Sequence, residues 1–600
     1  MSSSTTSSSS SVPRIRDFYR LKSVLVTGAT GFLGKTLVEK LLRECPELDK
    51  IYVLVRPAKD KTPQQRVADI LSDSLFDVIR AQEAAANAKK GNDSSSANAQ
   101  KGSDSSAPAT AASANDTEES EKDKSAAAGE SQKKGFESKV IAVPADLAQP
   151  SMGITDEEKL AEMRAHVSVI LHCAATVNFN EKLDLSLATN VSSVLNLLAF
   201  ARTLKSLDAF VHVSTAYAHC DRQHIEEKFY DPTIDPQALI AAVKSMSPEL
   251  IASVTKALVA KRPNTYTLTK SLAEAVICSE GADLPVAVVR PSIVGAIAKS
   301  PVPGWVDNLN GPGGFLLATA HNILRAMPGD PHGITDFVPV DHCVNMIVAV
   351  SWKLAVLNPG KPMVFNCSSG KLCPLNLGYA TTAAVQHMRE HPIQASSLRQ
   401  PHMIMVPRWQ YDYLYNPFFH VLPALLIDFH RVALLRKKPM MRKLYKKVNT
   451  SLESYVFFSS QAWVWDVDNS VQLQKDLREE DKEAFDMVFT NLDWSEYLLK
   501  YYQGCKRFLK EPPKGGMGGN LGIEKPDGAA TATATPKMVA SPSTTSLLTG
   551  FGSTGALNML AGKGTNGVVF PVVIFATTVI IVVLAIVLSF LHDWVFESQE

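Results

Sequence analysis

Short apolar runs alternate with segments of helical spacing through the first half of the chain. Six of these runs predict buried β-strands, because strands that are covered on both faces of a parallel sheet are apolar without interruption. The predicted strands are residues 23–27, 51–55, 140–143, 167–172, 209–213 and 286–289. Between the first two, residues 35–43 carry leucine and valine at the spacing of one helix face. The alternation predicts an α/β fold with a doubly wound parallel sheet of the Rossmann type.

From about Tyr411 the pattern changes to longer helical and aromatic stretches. The change predicts a large nucleotide-binding α/β domain over residues 21–390 and a smaller helical domain over residues 391–511. Three other segments hold too few large apolar residues to offset the entropy of ordering them. They predict a disordered N-terminal tract (1–20), a disordered insertion (82–135) and a flexible linker (512–566).

The C-terminal end of the chain differs in kind from the linker before it. Residues 568–591 are apolar and carry no charge, and about 20 such residues cross a bilayer. We therefore predict a transmembrane helix over 567–591, followed by a short tail over 592–600. Lys563 precedes the run and only acidic charges follow it, which favours a tail anchor with the large N-terminal part in the cytosol.

Charge and cysteine content exclude several classes of protein. The 61 basic and 60 acidic residues leave a formal net charge of +1, so no overall field attracts nucleic acid. The eight cysteines contain no Cys-x-x-Cys pair and predict neither a zinc site nor a disulfide framework. His172, His212 and His219 lack the spacing of metal ligands and are interpreted as packing residues, so no metal is expected.

The most specific motif is the glycine-rich segment Thr27-Gly-Ala-Thr-Gly-Phe-Leu-Gly34. It follows a predicted strand and opens a predicted helix, which is the context of a dinucleotide-binding turn. Gly28 permits the tight turn, Gly31 lets the backbone approach a pyrophosphate, and Gly34 allows the helix to pack closely on the strand. The predicted cofactor-binding residues here are Thr27, Gly28, Thr30, Gly31, Phe32, Leu33 and Gly34.

The second strand ends at Arg56 rather than at an acidic residue. Asp or Glu at this place binds the ribose hydroxyls of NADH, whereas an arginine fork suits the 2′-phosphate of NADPH. Arg56 therefore favours NADPH, with Lys59 and Lys61 nearby; the alternative is that these are solvated charges at a loop edge.

Tyr266 and Lys270 are the predicted catalytic pair. Positions i and i+4 lie one turn apart on one helix face, where an ammonium would lower the pKa of the phenol. Thr215 and Ser214 follow the strand 209–213 at the sheet edge that binds ligands, and either hydroxyl could donate to a carbonyl oxygen. We favour Thr215; the alternative is a Ser/Thr that ends a strand and caps a turn.

Two further residues are cofactor-site candidates by position only. Asp146 follows the third strand and could bind an adenine amino group. Asn190 lies in a helix after the fourth strand and could support Lys270 through water. Either could equally be a structural polar residue.

Together these motifs resemble the extended short-chain dehydrogenase/reductases, and more closely the alcohol-forming fatty acyl-CoA reductases. The resemblance covers residues 20–84 and 136–510. Its α/β part rests on Ile51-Tyr-Val-Leu-Val-Arg-Pro57 and on segments 172–183, 212–218, 289–294 and 336–341. Its helical part, with Trp463-Val-Trp-Asp466 and Leu492-Asp-Trp494, is similar to the family's male-sterility-type C-terminal domain.

The resemblance implies a function. It is the NADPH-dependent reduction of a long-chain fatty acyl-CoA to a primary alcohol with release of CoA, a step in lipid biosynthesis that supplies wax or ether-lipid precursors. Tyr266 and Thr215 would stabilise the oxyanion, and Lys270 would hold the nicotinamide ribose. A lipid membrane, of the endoplasmic reticulum or the peroxisome, suits such a substrate. Residues 418–435 could then shape an acyl tunnel or touch the membrane interface, but we expect a core helix there.

Two alternative functions remain open. Another extended reductase, acting on a steroid or a sugar nucleotide, would share the glycine turn and the Tyr266–Lys270 pair, although the helical domain speaks against it. A membrane scaffold that senses NADP(H) without turnover would not need the catalytic side chains.

Overall fold

A central parallel sheet of seven strands organises the computed structural model, which describes residues 12–58, 60–98, 135–357, 359–393, 400–489 and 492–509. The strand order in this sheet is β12-β7-β5-β4-β1-β2-β3. In the described residues the strands are β1 (Ser23–Thr27), β2 (Ile51–Val55), β3 (Val140–Pro144), β4 (Val167–His172), β5 (Ala209–Val213), β6 (His224–Ile225), β7 (Val286–Pro291), β8 (Ile293–Gly295), β9 (Ala326–Pro328), β10 (Ile334–Thr335), β11 (Phe337–Pro339), β12 (Met363–Cys367), β13 (Leu375–Asn376), β14 (Ile404–Val406) and β15 (Val464–Trp465).

The predicted doubly wound sheet is confirmed. All six predicted strands are present, and the register places Val24 of β1 between Ile51 of β2 and Val169 of β4. The seventh strand, the edge strand β12, was not predicted. Its five residues include the polar Asn366, so its apolar run is too short to stand out from a loop.

Helices cover both faces of the sheet. The described helices are α1 (Ile15–Tyr19), α2 (Phe32–Glu44), α3 (Pro63–Leu71), α4 (Asp77–Asn98), α5 (Glu157–His166), α6 (Leu183–Leu187), α7 (Ser193–Ala201), α8 (Pro236–Ser245), α9 (Pro248–Val259), α10 (Thr265–Glu280), α11 (Pro312–Ala320), α12 (Val340–Leu357), α13 (Leu377–Glu390), α14 (Arg408–Gln410), α15 (Leu422–Ala433), α16 (Met441–Ser459), α17 (Asp468–Asp476), α18 (Glu479–Lys482) and α19 (Trp494–Phe508). Two π-helical segments, Ala188–Ser192 and Tyr411–Val421, lead into α7 and α15.

The apolar core forms one layer on each side of the sheet. α2 and α12 pack on one face with α17 beyond them, and α5, α7 and α10 pack on the other. β1 and β4 are neighbours at the centre of the sheet. From β1 the strand order runs outward to β2 and β3, and from β4 it runs the other way to β5, β7 and β12. In open α/β sheets ligands bind at this switch point, at the carboxyl ends of the strands.

The C-terminal part packs closely against the α/β part. β15 pairs with β6, and the indole N–H of Trp465 donates to the carbonyl of Ala216 at 2.9 Å. α17 packs on β12, and α19 packs on α11 and α13. Residues 411–459 form a helical hairpin that packs on β9, and most of the later described residues bury their apolar side chains against the α/β core.

Two segments predicted to be disordered are partly structured. Ile15 and Tyr19 of α1 are fully buried, because their spacing of four puts both on the face that meets α12. In the predicted insertion, residues 82–98 continue α4, since the first part of this sequence is rich in the helix former Ala. Residues 1–11 and 99–134 lie outside the described residues.

The core-helix prediction for residues 418–435 is wrong. Phe418, Leu425 and Phe429 are between 41% and 51% exposed, so this stretch turns apolar side chains away from the core. Two other described helical stretches, 183–201 and 340–357, have the length and hydropathy of a membrane span, and both pack on the sheet. The predicted linker and transmembrane helix (512–591) lie outside the described residues.

Candidate active site

The glycine turn has the geometry of a phosphate cradle. Gly28 has φ +72°, and a Cβ there would lie 2.7 Å from the backbone nitrogen of Ala174. A Cβ on Gly34 would overlap the Gly28 carbonyl oxygen, so both positions exclude a side chain. Gly31 caps α2, whose first N–H groups have no partners within the helix and face the turn. The turn therefore fits a dinucleotide pyrophosphate.

Thr27 holds the two halves of the sheet together at the switch point. Its hydroxyl bonds to Nδ1 of His172 at 2.7 Å and accepts from the backbone N–H of Ala174 at 3.1 Å. The His172 ring lies 5.0 Å from the ring of His212. Burial, with the nearby Lys270 charge, lowers the pKa of His172 to about 3, so this imidazole is neutral. Fully buried, Thr27 ties the end of β1 to the end of β4.

The predicted hydroxyl donors meet beside α10. Thr215 lies close to the Tyr266 phenol, and its hydroxyl donates to the carbonyl of Pro291 at 3.4 Å and accepts from the N–H of Tyr217 at 3.3 Å. Ser214 is 4% exposed, and its hydroxyl has no hydrogen-bond partner among the described residues. A buried hydroxyl without a partner costs free energy unless a ligand satisfies it. The three side chains thus form one small polar cluster at the carboxyl end of β5.

Lys270 lies one turn along α10 from Tyr266, as predicted. Its ammonium donates to the carbonyl of Val213 at 2.7 Å, and burial lowers its pKa to about 8 against the opposing effects of Cys173 and Glu274. The predicted lowering of the Tyr266 pKa is wrong for this structure. Burial raises that pKa to about 12, and the nearby Thr215 hydroxyl offsets only part of the rise. The Lys270 ammonium donates to the Val213 carbonyl rather than to the phenol, so it does not counteract the desolvation of Tyr266.

Asn190 makes direct contacts with the loop after β4 and with α10. Its amide carbonyl accepts from the N–H of Thr176 at 2.9 Å, and its amide nitrogen donates to Thr269 at 2.9 Å. Asn190 therefore ties the loop after β4 to α10. This contact positions Lys270 only through the helix that both Thr269 and Lys270 share.

The end of β2 is basic and solvent-exposed. Arg56 is exposed, and its carbonyl accepts from the guanidinium of Arg66 at 2.6 Å, so two arginines lie at this edge. Lys61 is engaged in an ion pair with Asp69, and Lys59 lies outside the described residues. Asp146, after β3, accepts from the N–H of Ala148 at 3.3 Å. Donors suited to a phosphate are thus present where the sequence predicted them.

An apolar cavity begins next to Tyr266. The Phe179 ring lies 5.7 Å from the Tyr266 ring, and 5.8 and 5.9 Å from the rings of Tyr455 and Phe458. Those two residues line a cavity with an atom-free volume of about 950 Å³, its mouth included. The wall is almost entirely apolar and includes Phe315, Leu316, Met327 and Met388. Phe179 therefore connects Tyr266 to two residues in the wall of this apolar cavity.

Comparison with known proteins agrees with this arrangement. A family model described as "Male sterility protein" matches residues 26–93 and 108–347, and a second of the same description matches 419–511. Fatty acyl-CoA reductase 1 of Mus musculus is 36% identical over 503 residues, covering 84% of this chain and 87% of its own. Fatty acyl-CoA reductase 1 of Homo sapiens (35%) and fatty acyl-CoA reductase 2 of Bos taurus (33%) match over the same shares. The chain belongs to the fatty acyl-CoA reductase family.

This reductase is also similar to a solved structure, the terminal R domain from the myxalamid PKS-NRPS biosynthetic pathway. The identity is 17% and the TM-score 0.48, over 82% of this chain and 93% of that one. The curated relatives place the chain among oxidoreductases that produce fatty alcohol, with a domain that binds a nicotinamide cofactor.

Sequence reasoning missed a buried charge network that supports the site of this reductase. Glu274, one turn beyond Lys270, accepts from Arg290 at 2.6 Å and from His219 at 2.9 Å. Although burial opposes it, Arg290 and His219 hold the pKa of Glu274 well below its usual range. The network fixes α10 to β7 and to the loop after β5. The sequence signal for it was a second charged residue four positions after Lys270, on the same face of a largely buried helix.

Proposed function

We propose that this reductase uses NADPH to convert a long-chain fatty acyl-CoA into the primary alcohol and free CoA. The observation that carries the proposal is that Tyr266, downstream of the glycine turn, packs on Phe179, whose ring also packs on Tyr455 and Phe458 in the wall of the apolar cavity. The balanced reaction consumes two NADPH and two protons for each acyl-CoA and releases two NADP⁺. NADPH, when bound, supplies the hydride for both reductions. The protein must bind both substrates, stabilise the oxyanion and deliver the protons.

The glycine turn and the end of β2 would hold the cofactor. The N–H groups at the start of α2, in Phe32, Leu33 and Gly34, face the pyrophosphate position, and Thr30 lies in the same turn. Arg56, together with Arg66, would bind the 2′-phosphate, which is why we propose NADPH rather than NADH. Asp146, after β3, is placed for the adenine.

Tyr266 would act as the general acid, and Thr215 and Ser214 as further oxyanion donors. Burial raises the pKa of Tyr266 to about 12, which keeps its phenol protonated at neutral pH and therefore able to donate a proton. The first reduction creates a hemithioacetal oxyanion, and the unpartnered Ser214 hydroxyl is available to that charge. Collapse of this intermediate breaks the C–S bond and expels CoA thiolate. Tyr266 then protonates the alkoxide formed from the aldehyde.

Lys270 would hold the nicotinamide ribose and stabilise the phenolate left after each proton transfer. The hydrogen bond from the ammonium to the Val213 carbonyl holds Lys270 at the carboxyl end of β5. Because Glu274 anchors the same helix to β7, Lys270 and Tyr266 keep a constant separation.

The apolar cavity would take the acyl chain. Its wall of phenylalanine, leucine and methionine offers no charged partner, which suits an alkyl chain and disfavours a sugar nucleotide. Steroids are apolar too, so the assay must include one.

We also propose that the run 568–591 anchors the enzyme in the endoplasmic reticulum or peroxisome membrane, with the catalytic part in the cytosol. The acyl substrate and the alcohol product both partition into lipid, so an anchored enzyme stays near both.

The deciding experiment is an assay of NADPH oxidation with palmitoyl-CoA, in which hexadecanol and free thiol are also measured. The proposal expects one alcohol and one thiol for every two NADPH consumed, with NADH much less effective. Turnover of a steroid or a sugar nucleotide instead would assign the enzyme to another reductase class. Tight NADPH binding with no turnover of any substrate would favour the sensor alternative.

A further inference from the structure

The helical hairpin of residues 411–459 carries an unusual concentration of exposed apolar side chains. Of the 20 exposed large apolar residues in the described chain, ten lie between Tyr413 and Leu435. Six of them recur every three or four residues, which places them along one side of the π-helical segment and α15. We name this set the apolar ridge: Leu414, Phe418, Val421, Leu425, Phe429 and Val432.

The opposite side of the same stretch is fixed to the body of the protein. Tyr411, His420 and Ala424 are at most 2% exposed, and the N–H of Arg325 donates to His420 at 3.2 Å. The apolar ridge therefore belongs to a helical stretch that already packs on the protein through other residues. The buried residues of this stretch keep the ridge facing solvent. Exposed apolar patches of this kind mark binding surfaces.

A strongly basic stretch adjoins the ridge. It comprises Arg436, Lys437, Lys438, Arg442, Lys443 and Lys446, all exposed. Residues 429–452 contain no acidic side chain, and these six form no ion pair with a described carboxylate. We name this set the basic segment.

Asp428 connects the apolar ridge to the basic segment. Its carboxylate is 4% exposed and accepts from the backbone N–H groups of Met440, Met441 and Arg442 at 2.7 to 2.9 Å. Those hydrogen bonds cap the start of α16 with the last acidic residue before the basic segment. The ridge and the basic segment therefore form one rigid surface rather than two independent features.

We propose that the apolar ridge and the basic segment dock the catalytic body on the surface of a bilayer that contains anionic lipid. Insertion of apolar side chains beside lysine and arginine is the pattern of helices that lie in the membrane interface. The charge complementarity decides the partner, because unpaired cations next to an apolar face fit lipid phosphates and acyl chains together. This contact is separate from any anchor formed by residues 568–591.

The docking surface also leads to the substrate cavity. α16 begins in the basic segment and ends at Tyr455, Phe458 and Ser459, which line the cavity. From Lys443 to Tyr455 the helix rises about 18 Å, at 1.5 Å per residue. A body docked through this surface would therefore hold its acyl cavity within about 20 Å of the lipid, where a long acyl chain resides.

The test uses the chain truncated after Lys510, which lacks the predicted anchor. The described apolar clusters all lie within residues 15–509, so this chain keeps the whole described fold. Its binding to phosphatidylcholine vesicles is measured by co-sedimentation, with and without phosphatidylserine. NADPH oxidation with a soluble acyl-CoA is measured on each preparation, so that loss of the reductase function is seen separately from loss of binding.

We expect the truncated chain to bind the phosphatidylserine vesicles, at least about tenfold more tightly than phosphatidylcholine alone. Phe418→Glu with Phe429→Glu should weaken binding at least about tenfold, because both apolar contacts are lost. Lys437→Glu with Lys438→Glu should abolish the preference for phosphatidylserine. The matched control is Leu250→Glu, since Leu250 is 47% exposed, as is Phe429, but lies on α9.

Three results would overturn the proposal. One is no binding of the truncated chain to either vesicle. Another is an equal effect of Leu250→Glu and of the ridge substitutions. The third is a dimer in solution that the ridge substitutions dissociate, which would assign the surface to a second copy of the chain.

Discussion

Replacing Tyr266 with phenylalanine removes one hydroxyl from the proposed proton path and tests its role directly. With a pKa of about 12, the Tyr266 phenol is ionised at pH 7 in only about one molecule in 10⁵, so it acts as a donor. A positioned general acid contributes about 10²–10⁴-fold, or about 3–5 kcal/mol of transition-state stabilisation. We expect kcat for alcohol formation to fall by that factor.

The same variant should bind NADPH as the wild type does, because the glycine turn and Arg56 are unchanged. NADPH affinity is measured by cofactor fluorescence and turnover by NADPH oxidation with palmitoyl-CoA. Tyr379→Phe is the control, since that exposed tyrosine on α13 lies outside the site. Turnover above about a tenth of wild type would exclude Tyr266 as the general acid and leave Thr215 or Ser214 as the donor.

Three further predictions address the cofactor and the lysine. Arg56→Asp should raise KM for NADPH and lower KM for NADH, because a carboxylate repels the 2′-phosphate. If the ratio of kcat/KM for NADPH to kcat/KM for NADH is unchanged, Arg66 rather than Arg56 binds that phosphate. Lys270, with a pKa lowered to about 8 by burial, carries its charge below that pH and loses it above. Turnover should therefore fall as pH rises through about 8, and Lys270→Met should abolish this limb together with most activity. Gly34→Ala puts a methyl group against the Gly28 carbonyl, so NADPH affinity and Tm should both fall, and a variant with wild-type values of both would refute the close packing.

The sheet and the placement of Tyr266 and Lys270 on one helix could be predicted because their signals are local. The strand runs are continuous and apolar, and the glycine turn requires its residue types at fixed spacing. The i, i+4 relation likewise places Tyr266 and Lys270 on one face of α10 without any tertiary information. The effect of Lys270 on the phenol could not be predicted in the same way. It depends on how deeply both groups are buried and on the Val213 carbonyl that takes the ammonium.

The failures share a different cause, which is that burial is decided by distant residues. Residues 418–435 have the composition of a core helix, but the described core offers contacts only along the side of Tyr411, His420 and Ala424. In the opposite sense, Ile15 and Tyr19 sit in a polar tract and are buried because α12 provides a surface for them. Periodicity identifies an apolar face; it does not say whether the rest of the chain covers it.

The C-terminal residues complete the active site instead of forming an appendage to it. Trp463 and Trp465 donate to the carbonyls of Cys220 and Ala216, so they hold the loop that follows Thr215. Tyr455 and Phe458 pack on Phe179, which packs in turn on Tyr266. A chain that ended before α16 would therefore lose one wall of the cavity, the support of the loop after Thr215 and part of the core that covers the sheet. With the function proposed above, we therefore expect nucleotide binding to depend on the glycine turn in the first half of the chain, and reduction of a fatty acyl group to depend on both halves.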